Sequence, residues 1–190
     1  MAPPGDTAFM ARRIAILLIT SLALLGATAA TASAGSLVAP TSTCPGQTRL
    51  DAPTPTQERT MLCMANYARG QLGLSPLETT PELEGSAREK ARDILNCDSF
   101  SHYACGRDFA YWIRASGYIS TECWRAGENL AFGSGAFASV RSIFRAWMRS
   151  TEHRENILGN YAQTGLDLVS GTLEGFAGTR VWTQHFGLHC

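Results

Sequence analysis

Lysine is almost missing from this chain: Lys90 is the single lysine among 16 basic side chains, and 16 acidic ones balance them. With no basic tract and no net charge, the sequence lacks the electrostatic footprint of a nucleic-acid partner. No C-x-x-C pair occurs, which argues against a cysteine-built zinc site. No H-E-x-x-H helix is present, so the two-histidine metalloprotease arrangement is missing too. No G-x-S-x-G elbow occurs, which removes the usual platform for a serine hydrolase. The apolar run from Ile14 to Leu25 falls short of the roughly 20 residues that span a bilayer. There is no internal repeat.

What the N-terminus does have is the order of parts of a secretory signal. Arg12 and Arg13 precede the apolar run, and small residues follow it, ending Ala32-Ser33-Ala34. Residues 1–34 are therefore expected to be cleaved, giving a secreted, extracellular protein with no stable membrane anchor. Cleavage removes Arg12, Arg13 and Asp6, and the remaining length suits one domain with a substantial core. All six cysteines, Cys44, Cys63, Cys97, Cys105, Cys123 and Cys190, lie beyond the signal and enter an oxidising compartment. Three disulfides are expected, and sequence alone leaves many connectivities open. The short spacing of Cys97 and Cys105 suggests a small loop around His102. Cys44 with Cys63 and Cys123 with Cys190 complete the set.

Residues 35–55 are rich in Ser, Thr, Pro and Gly and read as an extended arm fastened by Cys44, leaving residues 56–190 as the domain proper. Met61, Leu62, Ala65, Ala68 and Leu72 recur at helical spacing over 57–72. Thr80-Pro81 opens a second helix with Leu83, Ala87, Ala91, Ile94 and Leu95 inward and Glu84, Arg88, Glu89 and Arg92 on a solvated face. A shorter helix is expected over 107–116, ended by Gly117. Val140, Ile143, Phe144, Trp147 and Met148 give the clearest amphipathic helix. Strands are expected over 126–132, 161–169 and 180–186, with 171–178 as the turn of an antiparallel hairpin. Helices interleaved with a few antiparallel strands predict a layered α+β domain.

Three segments are more specific: SFSHYACG (99–106), GENLAFG (127–133) and WMRSTEHRENIL (147–158). They stand in order between NYARGQLGLSPL (66–77) and VWTQHFG (181–187). Together they resemble the CAP superfamily of cysteine-rich secretory proteins, antigen 5 and pathogenesis-related proteins, also called the SCP domain, in its bacterial secreted form. The resemblance covers residues 58 to 187. It implies a disulfide-bonded three-layer α-β-α sandwich with a small antiparallel sheet, and a cavity floored by histidine and glutamate. By position His102 and His153 match the family's two histidines and Glu128 its first glutamate. The second glutamate is replaced by Ser150, which departs from the pattern.

Two imidazoles and a carboxylate can hold a divalent ion such as zinc and leave a position open for water. The set His102, Glu128 and His153 is thus the candidate metal site, with Ser150 beside it in the cavity. The alternative is a hydrogen-bonded cluster in which Glu128 orients an imidazole. Ser150, three residues before His153, reads as a helix cap rather than a nucleophile. Asn129 and Asn156 are expected to bond backbone, Arg154 to pair with a carboxylate, and Asn66 and Arg69 to tie the first helix to its neighbours. His185 alternates with Trp182, Gln184 and Phe186 as in a strand and reads as structural or exposed, as does His189. No catalytic residue is assigned. The expected function is a secreted module that binds a lipid, a small molecule or a protein, and the competing one is a metal-dependent hydrolase of extracellular peptide or cell-wall material.

Overall fold

The computed structural model describes residues 36–119 and 123–189, which belong to one compact unit, Ala34–Cys190. The signal expected at 1–34 lies outside them. No helix among the described residues is long and apolar enough to cross a membrane.

Helix α1 (Thr54–Gly70) starts a few residues earlier than the apolar spacing implies. Pro55 sits in its first positions, where a missing N–H breaks no helical bond. Strand β1 (Glu78–Thr79) was too short to be seen in the sequence. Helix α2 (Pro81–Asn96) begins as expected, with the Thr80 side chain accepting from the Leu83 N–H. Helix α3 (Tyr111–Ala115) is shorter than the 107–116 expected. The chain before it makes a tight turn in which Cys105 and Gly106 have positive φ. Strand β2 spans Trp124–Gly133. Helix α4 (Val140–Arg149), capped by Ser139, buries Val140, Ile143, Phe144, Trp147 and Met148, the stripe read from the sequence.

Helix α5 (Thr151–Leu158) follows immediately, the break being Ser150 in extended conformation. Strands β3 (Gln163–Leu173) and β4 (Phe176–His189) form the hairpin. Its turn is narrower than the 171–178 expected: Glu174 and Gly175, both at positive φ, make the two-residue connection that matches strand twist.

The sheet order is β1-β3-β4-β2. Strand β4 runs antiparallel to both neighbours, while β1 pairs parallel to β3 at Gln163 and Thr164. Side-chain alternation divides the sheet between two helical layers. Leu166, Leu168, Trp182 and Phe186 pack with Met61, Met64, Phe144, Trp147 and Ile157 of α1, α4 and α5. On the opposite face Leu130, Leu173 and Val181 meet Ala91 and Ile94 of α2. The result is a layered α+β domain, as the pattern of elements predicts, and the α-β-α sandwich that the family resemblance implies. Both core tryptophans keep their N–H satisfied, Trp147 by the Leu130 carbonyl at 3.0 Å and Trp182 by that of Ala138 at 3.2 Å.

The segment before α1 corrects one expectation. Instead of an extended arm it is a run of turns packed into the domain, with Ala39 and Cys44 fully buried. Gln47, itself buried, donates to the Ala39 carbonyl and accepts from Arg141. Cys44 pairs with Cys63 and Cys97 with Cys105, as expected. Cys123 is disulfide-bonded, and its expected partner Cys190 lies outside the described residues. The Cys97–Cys105 link closes a sequence separation of 8 and Cys44–Cys63 one of 19. Loop-closure entropy then gives about 2.5 kcal/mol for the first and about 3 kcal/mol for the second. Replacing each pair by serine should lower unfolding free energy in urea in that order, and the reverse order would show that local strain dominates.

Candidate functional site

Four segments converge on Glu128. It lies on β2, directly opposite His185 of β4 in the antiparallel register, and its side chain faces the α2 layer. Its carboxylate is almost completely buried. Oε1 is 2.6 Å from His102 Nδ1 and Oε2 is 2.9 Å from His185 Nε2. An ionised carboxylate accepts and cannot donate, so both imidazoles carry the shared proton on those nitrogens. The other ring nitrogen of His185, Nδ1, lies 2.7 Å from Ser86 Oγ on α2. Ser86 Oγ also reaches the Leu83 carbonyl at 2.9 Å.

Lys90, one helical turn beyond Ser86, is fully buried. Its ammonium donates to the His102 carbonyl at 2.6 Å and lies 3.9 Å from Glu128 Oε1. Burial pushes its pKa down, opposed by the carboxylates of Glu128, Asp93 and Asp108. Burial also pushes the Glu128 pKa up. The hydrogen bonds from His102 and His185, with the charges of His185 and Lys90, outweigh that and hold it below the usual carboxylate value. Glu128 is therefore a buried anion fixed on three sides.

His102 sits on the loop between α2 and α3, and its side chain is half exposed. Three ties hold that loop. The Cys97–Cys105 disulfide closes it, Lys90 grips its backbone, and Asp93 binds Arg107 at 2.8 Å and the Trp112 indole at 2.7 Å. With Nδ1 committed to Glu128, the Nε2 edge is the part of the ring left for a ligand, and the next residue, Tyr103, is exposed.

His153 enters from the first turn of α5 and is half-buried. Asn129, the residue after Glu128, donates to its carbonyl at 3.0 Å, and Asn156 binds both the Glu128 carbonyl and the Asn129 side chain. Burial pushes the His153 pKa below the usual imidazole value. The neighbouring His102 acts in the same direction, against Glu152. The structure thus joins His102 to Glu128 directly and sets His153 near enough for the two imidazoles to feel each other's charge. Ser150 does what its position predicts, its Oγ accepting from the His153 N–H at 3.5 Å.

As a three-ligand metal centre the set does not fit. Each Glu128 oxygen is already engaged by an imidazole, and the Lys90 ammonium stands beside one of them. Among the described residues no group of three His, Cys, Asp or Glu side chains could hold an ion. The arrangement can orient His102, keep a negative charge beneath it and present one imidazole edge outward.

Sequence reasoning missed Ser86, Lys90 and the pairing of His185 with Glu128. The first two carried a signal, since both lie on the same helical stripe as Leu83, Ala87, Ala91 and Ile94. Arg154 corrects another expectation: it donates to the Met148 carbonyl at 3.1 Å instead of meeting a carboxylate. Arg69, buried, donates to the Ser75, Ile157, Gly159 and Tyr161 carbonyls, and Asn66 exchanges two bonds with Leu77, so both tie α1 to its neighbours.

Comparison with known proteins places this geometry. The family model for the cysteine-rich secretory protein family, CAP, matches residues 62–186. The uncharacterized protein YkwD of Bacillus subtilis is 32% identical over 131 residues, which is 68% of this chain and 46% of that protein. The chain therefore spans less than half the length of this relative. An outer surface protein of Borrelia burgdorferi superposes with a TM-score of 0.60 at 19% identity, covering 73% of this chain and 97% of that one. An extracellular protein of Bacillus anthracis containing an SCP domain gives 0.59 at 18% identity, covering 70% of this chain and 40% of the other. The structural likenesses establish the fold, and the family match covers the segment that carries His102, Glu128 and His153. This chain is a member of the CAP family.

Proposed function

We propose that the protein is a secreted binding module whose recognition point is the exposed edge of His102, backed by the buried Glu128. The observation that carries this reading is the commitment of both Glu128 oxygens to imidazoles. A carboxylate held in that way orients a binding group and keeps its polarity fixed. A hydrolase would need it released, either to take a proton from water or to complete a metal's ligand set. The half-exposed His102 ring beside Tyr103 supports a ligand that accepts or donates a hydrogen bond and offers an apolar surface. A lipid headgroup, a small molecule or a partner protein meets that description. The cysteine usage and the A-x-A site support an extracellular location.

The test follows the His102 and His153 ring signals by NMR while fatty acid, sterol and short saccharide probes are added. Parallel samples are assayed for peptide and cell-wall hydrolysis with zinc. Saturable shifts of His102 with one probe class, and no turnover, are the expected result. Zinc-dependent turnover that disappears in Glu128→Gln would replace the binding reading with the hydrolase.

A further inference from the structure

A second polar cleft opens at the edge of β3 and shares no lining residue with the His102 site. Strand β1 covers β3 at Gln163 and Thr164, and beyond them no described strand pairs that edge. Between the start of α1 and the first turns of α2 lies a cleft of about 420 Å³ whose walls include Glu58, Glu84, Arg88 and Leu166. It shares Glu58 and Arg88 with a neighbouring space of about 460 Å³ that is lined by Asp167.

Two carboxylates set its chemistry. Asp167 is buried, and Oδ1 accepts from Arg88 Nε at 3.1 Å. Its Oδ2, also buried, has no hydrogen-bond partner among the described residues. An acceptor in that state costs stability until a donor reaches it. Glu58 reaches in from α1, and its Oε1 accepts from the outward-facing Leu168 N–H at 3.2 Å. Around Glu58 the charges of Asp167 and Glu84 oppose that of Arg88. Of the other guanidiniums, Arg92 binds Glu89 at 2.7 Å while its charge also acts on Asp167, and Arg59 binds the Thr56 hydroxyl at 3.0 Å. Burial and then Asp167 push the Glu58 pKa up to about 7, and burial raises that of Asp167 as well. Asp167 Oδ2 thus lacks a hydrogen-bond donor among the described residues, and the neighbouring Glu58 is held toward its neutral form by burial and by Asp167.

We propose that this cleft binds a ligand bearing a primary ammonium group, seated between Asp167 Oδ2 and the Glu58 carboxylate. An ammonium supplies three donors around a compact charge. It can serve both carboxylates while Arg88 keeps its own bond to Oδ1. A bare divalent ion suits the site less well, because Arg88 already occupies one Asp167 oxygen and, among the described residues, no three acidic, His or Cys side chains are grouped to hold one. Since the cation favours ionised Glu58, affinity should rise as pH increases through about 7.

The experiment uses isotope-labelled protein at alkaline pH and reads the Leu168 amide, which Glu58 holds. N-acetyl-lysine methylamide is the probe, N-acetyl-norleucine methylamide its uncharged counterpart, and calcium chloride the third arm. The expected result is a saturable Leu168 shift with the lysine compound alone. Affinity should fall about tenfold, or about 1.4 kcal/mol, in Glu58→Gln and in Asp167→Asn. Glu84→Gln, at the partly exposed rim, removes charge without touching the buried oxygens and should weaken binding by a smaller factor. Equal shifts with the norleucine compound, no saturable shift with lysine, or saturation by calcium in its place would each overturn the proposal.

Discussion

Glu128→Ala should lower the unfolding free energy at neutral pH by about 3–5 kcal/mol, because it leaves the buried Lys90 ammonium and His185 without their shared anion. Much of that loss is the cost of stranding the partners, not the intrinsic worth of the ion pair. The pH dependence separates this from a packing defect. The folded pKa of Glu128 is depressed, so its contribution is fully present above the unfolded value near 4.5 and fades as pH falls through the lower folded value. Wild-type protein should therefore lose stability below about pH 4.5, and Glu128→Gln should lose less over the same interval. Urea denaturation at a series of pH values measures both. A neutral-pH loss no larger than that of Glu152→Ala, an exposed carboxylate on α5, would mean that Glu128 does not anchor the cluster.

The contrast between His102 and His185 shows what the sequence could convey about this site. His102 stands in a segment recognisable on its own, SFSHYACG, and Glu128 in GENLAFG, so both could be proposed before any geometry was known. His185 is legible as a strand residue, and it is one; its complete burial is not legible. That it faces Glu128 depends on the register between β2 and β4, strands more than forty residues apart in sequence. A one-residue slip would turn it to the opposite face. Lys90 is different, since its place on the α2 stripe was available from helical spacing. A lysine on an apolar face is rare unless paired, and its partner Glu128 lies on a strand distant in sequence.

The strands extend beyond the ranges their apolar alternation implies. Ser170, Gly171, Ala177 and Gly178 have little apolar alternation, and the pairing near the hairpin turn is irregular, with a register shift between Gly171 and Leu173. Helix α4 was read correctly because its burial pattern is written in its own ten residues.

Gly165→Ala is the other substitution expected to have a large effect, and it tests how the α2 layer positions the site. Gly165 lies opposite His185 in the sheet. A Cβ there would stand 2.0 Å from the Leu83 carbonyl carbon and 2.2 Å from the Glu84 nitrogen. Both are backbone atoms at the capped start of α2, so no side chain can swing aside and the helix itself must move. Its φ is not in the left-handed region, so what the position requires is space, not unusual backbone freedom.

Overpacking of this kind costs about 1–3 kcal/mol, and backbone contact puts Gly165→Ala at or above the top of that range. The displacement should also pull Ser86 from His185 Nδ1 and Lys90 from the His102 carbonyl, shifting both imidazole signals in NMR spectra. Gly171→Ala is the matched control: its Cβ would meet the end of the Leu95 side chain at 2.8 Å, which a rotamer change can relieve. Gly165→Ala should therefore unfold at markedly lower urea than Gly171→Ala and alone disturb His102 and His185. Equal stability of the two variants, with the histidine signals unmoved, would show that α2 is free to shift and that the Glu128 cluster does not depend on its close approach to the sheet.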